Sequence, residues 1–150
     1  MSDNEKMLQP TLYAAELLEK GYTPEQIGKI IKQEHIPIST FVGTFTELMA
    51  IHNLSVDMVA GAAEIDPATI YRFMKQERNP SRNALLRICL AMELSLDETQ
   101  RLLKSGNCST LSITRSRDLV IMDGVIHKKD FVQVNEELTG QGFGDLNGRG

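Results

Sequence analysis

Five basic side chains, Arg72, Lys75, Arg78, Arg82 and Arg87, fall in one short window in which Glu77 is the one acid, a local excess of four positive charges. Clustered guanidinium and ammonium groups make charge-assisted hydrogen bonds to anionic oxygens, those of phosphate and carboxylate alike. Other reactive residue types carry weaker patterns. His35, His52 and His127 are far apart and sit near the ends of expected helices, where capping explains them better than catalysis or metal binding. Cys89 lies on an apolar helical stripe and Cys108 beside a loop, with no metal-ligand spacing. Both are expected to be reduced, Cys89 as core and Cys108 as a candidate exposed thiol. The glycines of "GQGFGDLNGRG" imitate a phosphate loop, but no strand precedes them. No Ser/His/Asp grouping or paired-carboxylate motif is present, so neither an enzyme nor a cofactor is expected.

The whole chain argues against a sequence-blind nucleic-acid coat. It has 150 residues with 16 basic and 20 acidic side chains, net −4, whereas non-specific binders are usually basic throughout. With 41% apolar residues it can bury one core without disulfides or metals. No apolar run is long enough to span a bilayer and "MSDNEKMLQP" has no signal-peptide core, so a cytoplasmic location with no membrane partner is expected.

Helices must position the basic window. Leu8, Leu12, Ala15 and Leu18 share a face of "QPTLYAAELLEKG". Thr23, Pro24 and Gln26 open a second helix by a capping box, with Ile27, Ile30 and Ile31 as its inner stripe and Pro37 as its stop. Phe41, Phe45, Leu48 and Met49 mark a third. Ser55 caps a short helix with Met58, Val59, Ala62 and Ala63 expected inward, and Asp66 caps the next, with Pro67 in its first position. Ser81 caps a helix burying Leu85, Leu86, Cys89 and Leu90; Ser95 and Glu98 form another capping box before a helix ended by Gly106. Two more helices are expected between 115 and 140, the second capped by Asp130, and then a glycine-rich tail expected to be mobile at its end. Period-2 alternation is lacking, so the fold class is all-α.

The helices at 55–63 and 67–76 are joined by too few residues to pack antiparallel, which predicts a helix-turn-helix crossing. Ala60 and Ala63 supply the small contact surface, and Ile70, Phe73 and Met74 segregate from Ala68, Thr69, Tyr71, Arg72 and Lys75. Over roughly residues 41–106, "LSVDMVAGAAEIDPATIYRFMKQERNPSRNALLRICLAMELSLDET" resembles the Cro/lambda-repressor-like (Xre) helix-turn-helix family, with Ala60, Ile65, Ile70 and Phe73 at the family's buried positions. The flanking "EKGYTPEQIGKII" and "VNEELTGQGFGDL" resemble a group of small bacterial Xre-like regulators.

The resemblance implies a lambda-repressor-like five-helix core with extra N- and C-terminal helices. It divides the chain into an N-terminal extension at 1–40, a DNA-binding domain at 41–106 and a C-terminal extension at 107–150. It further implies that helix 67–76 enters the major groove of double-stranded DNA, with Pro67, Ala68 and Arg72 facing bases and Thr69, Tyr71 and Lys75 at the groove wall or phosphates. Arg72 is the expected guanine reader. Arg78, Asn79, Arg82 and the helix N-terminus at Ser81 are the expected phosphate contacts. Repressors of this type bind as dimers, and the helices at 115–140 are the candidates either for dimerisation or for docking back onto the domain.

The sequence departs from the family pattern at Val56, where glutamine is frequent, and at Glu64 and Gln76, turn positions where glycine is common. Pro67 and Ala68 cannot hydrogen-bond base edges through side chains. The second expectation is therefore an interaction adaptor with this fold, weak or vestigial DNA binding and a protein partner. The third, a small-molecule sensor, requires a pocket that no sequence motif locates.

Overall fold

The computed structural model describes residues 16–33 and 41–148; Leu8, Leu12, Ala15, His35 and Pro37 lie outside the described residues. Among the described residues there is no strand. A helical segment at 16–19 is followed by α1 (Pro24–Gln33), α2 (Phe41–Ile51), α3 (Val56–Ala63), α4 (Pro67–Met74), α5 (Arg82–Ala91), α6 (Leu96–Ser105), α7 (Ser116–Ile126) and α8 (Phe131–Gly140).

The start of each helix is written in polar side chains. Thr23 and Gln26 exchange the two bonds of a capping box ahead of α1. Ser55, Asp66, Ser81 and Asp130 each accept from a first-turn backbone N–H of α3, α4, α5 and α8. Ser95 and Glu98 close a second capping box at α6, and Glu98 also meets His52 Nε2 at 2.8 Å, which ties the end of α2 to the start of α6. The α7 start, with Arg115 ahead of it, has no side-chain cap.

Helix ends repeat one device. After α2 to α7 the chain turns through a non-glycine residue of positive φ: Asn53, Glu64, Gln76, Glu93, Asn107 and Lys128. In each case the next backbone N–H returns to a carbonyl five residues back, as Ile65 does to Ala60 and Leu94 to Cys89. Gly106, expected to supply this freedom for α6, has φ −89, and Asn107 makes the turn instead. Gly106 is small for a different reason: a Cβ there would lie 2.6 Å from Leu85 Cδ1.

One core runs from Phe41 to Leu146. α5 is its centre, touching α3, α6, α7 and α8. The two C-terminal helices therefore dock onto the domain, burying Ile121, Val125, Phe131, Val134 and Leu138. Chain position 106 separates segments of sequence, not of core. The tail's last two residues, 149 and 150, lie outside the described residues, but up to residue 148 it is anchored. Leu146 is fully buried, its N–H donates to Asn135 Oδ1 at 2.8 Å, and Asn83 and Arg117 bind the carbonyls of residues 144, 145 and 148. Glycine-rich chain with no core of its own is held here by one leucine and three polar anchors, Asn83 of α5, Arg117 of α7 and Asn135 of α8.

Three inward assignments also change. Leu17 rather than Leu18 is buried in the first segment, Ile27 is buried in α1, and neither belongs to the main core cluster. In α3 the buried face is Val59, Ala60 and Ala63, whereas Met58 is 56% exposed and Ala62 is exposed. The close helix crossing selects small side chains there, so hydrophobicity alone misassigns the larger methionine.

Candidate nucleic-acid interface

α3 and α4 are joined by residues 64–66. Glu64 at φ 52 ends α3 in the left-handed region, and Asp66 caps α4 by accepting from Ala68 N at 2.9 Å. Arg87, reaching across from α5, donates to Ala63 O at 3.0 Å and Glu64 O at 2.6 Å, satisfying carbonyls that a helix end leaves without partners. Its guanidinium lies 4.9 Å from the ring centroid of Phe131, the first residue of α8. The turn is thus braced from α5 and α8 together.

Ile70 and Phe73 fix the inner face of α4, with Ile65 and Met74 half-buried against the same core. The opposite face presents Pro67, Ala68, Tyr71, Arg72 and Lys75 to solvent, and Thr69 is half-buried on its flank. Arg78 and Asn79 are exposed in the following turn, Pro80 is buried, and half-buried Ser81 caps α5 by accepting from Ala84 N. Eight of the nine side chains expected to meet DNA therefore lie on α4 or the turn after it. Val56 is half-buried against the core, so its apolar side chain serves packing.

Arg82 is the exception. Its side chain is 13% exposed and makes a two-pronged bond to Asp118 at 3.1 and 2.9 Å, and it donates to Ser109 O and Thr110 O as well. All its donor nitrogens face inward, toward the loop before α7 and α7 itself, so it is an internal strut and not a phosphate contact. Sequence reasoning missed Asp118, the acid that claims it, because 36 residues separate the two.

The charge of the surface changes with it. Of the five basic residues in the window, Arg82 and Arg87 are committed internally, leaving Arg72, Lys75 and Arg78 exposed. Glu64, Asp66 and Glu77 are exposed beside them. Within the same window the excess of four falls to two among the exposed groups, three cations against Glu77, and Glu64 and Asp66 just ahead of it bring the exposed charges around α4 to three against three. What remains for an anion is a set of separate cations and the N-terminal end of α5.

Gln76 and Glu64 sit at φ 61 and φ 52, where a side chain costs about 1 kcal/mol relative to glycine. Gln76→Gly is expected to raise the unfolding free energy by about that amount, read as a higher urea midpoint at unchanged slope.

A short helix, a three-residue turn and a second helix with one buried and one open face define a helix-turn-helix unit. Residues 44–98, from α2 into α6, match the family model of the Cro/C1-type HTH DNA-binding domain. The match includes none of α7, α8 or the tail. No solved structure matches the chain. Among the described residues no helix is long and apolar enough to cross a membrane, and no group of histidine, cysteine and acidic side chains is arranged to hold a metal ion.

Proposed function

We propose that the protein is a sequence-specific DNA-binding regulator of transcription, acting in the cytoplasm of a bacterial cell, that lays α4 in the major groove. The observation that carries this reading is the division of α4 within a Cro/C1-type domain: Ile70 and Phe73 in the core, Arg72 and its exposed neighbours facing out. Arg72 reads guanine through paired donors, Ala68 meets a thymine methyl, and Tyr71, Thr69, Lys75, Arg78 and Asn79 line the backbone. No catalytic step belongs to this role. Two copies reading two half-sites would meet through the outer face of α7 and the start of α8, where Leu119, Ile126 and Val132 are exposed.

Selection of random duplexes on the purified protein tests this. A motif should be enriched, and Arg72→Ala should relax one position of it at a cost of about 1–3 kcal/mol. Because three exposed cations serve each copy, log K should fall against log salt with a slope near −3 per copy, shallow for the class. No enrichment by a folded, helical sample would sink the reading. The second reading, a protein-binding adaptor, is favoured by the balanced charge around α4 and by Pro67 and Ala68, whose side chains offer no hydrogen bond to a base. It predicts no DNA binding at any salt.

A further inference from the structure

An open cleft of about 760 Å³ lies beside α4. It is lined by Thr69 on the flank of α4, by Arg78, Asn79 and Ser81 of the turn that follows, and by Leu146, Asn147 and Gly148 of the C-terminal tail. The tail is built into that position. Asn83, itself buried in the first turn of α5, donates to Gly148 O at 2.9 Å; Arg117 of α7 donates to Gly144 O at 2.9 Å and Asp145 O at 3.0 Å and completes the set by binding Asn83 Oδ1 at 3.1 Å. Leu146 is sunk in the core between these anchors, while Asn147 is exposed.

We propose that this tail is part of the DNA interface, so that the protein meets duplex DNA over a wider surface than its Cro/C1-type domain. The inference rests on the reading that α4 enters the major groove. A helix about 10–12 Å across fills a groove about 12 Å wide. The phosphate strand bordering the groove must then lie against whatever flanks the helix. On the Thr69 side of α4 that flank is this cleft, whose lining includes the Arg78 guanidinium and the Asn79 and Asn147 amides. A strand lying there has the tail as its outer rail. The nearby Asp145 carboxylate is engaged locally: it accepts from Asn147 N at 3.0 Å and, over a long 3.5 Å, from Asn147 Nδ2, which a phosphate would have to draw away, and it feels the positive charge of Arg117.

Charge substitutions at the exposed Asn147 test this without disturbing the core. The full chain is titrated with the duplex enriched by selection, over a series of salt concentrations. Asn147→Lys should steepen the slope of log K against log salt by about 0.9, the signature of one added phosphate contact, and Asn147→Asp should weaken binding several-fold at low salt. Gly140→Lys, the same charge change at the exposed far end of α8 outside the cleft, where an added side chain meets open space, should leave the slope unchanged. If both Asn147 variants match the wild type while Arg72→Ala loses its site, the tail is off the DNA and this inference fails with the regulator reading intact. If Gly140→Lys shifts binding as much as Asn147→Lys, the effect is one of net charge and the inference likewise fails. A wild-type chain that binds no duplex overturns both.

Discussion

Replacing Arg82 by methionine is expected to cost about 3–5 kcal/mol of folding stability, because it strands a buried carboxylate. Asp118 is 1% exposed; without Arg82 its oxygens keep the bond from Ser112 N at 2.9 Å and lose the guanidinium that neutralises them. Methionine preserves the apolar stem of the arginine, so the loss reports the charge and its bonds. The carbonyls of Ser109 and Thr110 lose a donor at the same time, loosening the loop that leads into α7. For a chain of this length the loss corresponds to a fall in melting temperature of about 10 °C. An exposed phosphate ligand would behave in the opposite way: its removal would leave stability within about 0.5 kcal/mol and weaken DNA binding. Thermal unfolding of Arg82→Met without DNA separates the two. The double variant Arg82→Met with Asp118→Leu should regain much of the loss, since a buried ion pair exchanged for apolar groups is often neutral.

The contrast between Arg82 and Arg72 shows how far sequence reaches here. Capping residues were readable one by one, since Ser55, Asp66, Ser81, Ser95, Glu98 and Asp130 act on N–H groups two or three residues away. So was the two-sidedness of α4, because the spacing of Ile70 and Phe73 is a local property of the helix. Arg82 has the same residue type and nearly the same neighbourhood as Arg78, and nothing local distinguishes them. Its role is decided by Asp118, on a helix whose docking depends on the fold of the whole chain. Arg87 was likewise counted with the cations, although its partners are the end of α3 and the ring of Phe131. A window count sums formal charges; whether a guanidinium remains available depends on acceptors that arrive from elsewhere.

These two commitments change how DNA binding by such a protein must work. With Arg82 and Arg87 turned inward, the C-terminal helices take cations from the helix-turn-helix surface, and in exchange they brace it. α8 supports the turn at residues 64–66 through Phe131 and Arg87, and α7 holds the first turn of α5 through Asp118 and Arg117. Rigid placement of α4 favours discrimination between sequences, whereas free cations favour indiscriminate affinity. On the proposed reading, an acidic chain with three exposed cations beside a braced α4 is suited to low background binding.

Leu146→Ala should be nearly as damaging as the loss of Arg82, at about 2–5 kcal/mol, although it lies in a glycine-rich segment four residues from the C-terminal Gly150. Leu146 is fully buried among the core residues, and its truncation removes apolar contacts that the surrounding helices cannot recover by collapsing. If the tail were mobile, the same change would move the unfolding midpoint by less than about 0.5 kcal/mol. Urea denaturation decides between these, and amide exchange locates the damage: the Leu146 N–H, bonded to Asn135 Oδ1, should lose its protection before the core of α5 does. The variant also connects stability to binding. Leu146 fixes the depth of the tail, and Asn147 is the next residue along, so a tail released from the core no longer walls the cleft beside Thr69. Under conditions where Leu146→Ala remains folded, it should bind the selected duplex more weakly than wild type yet keep the same preferred sequence, because α4 and Arg72 are left in place.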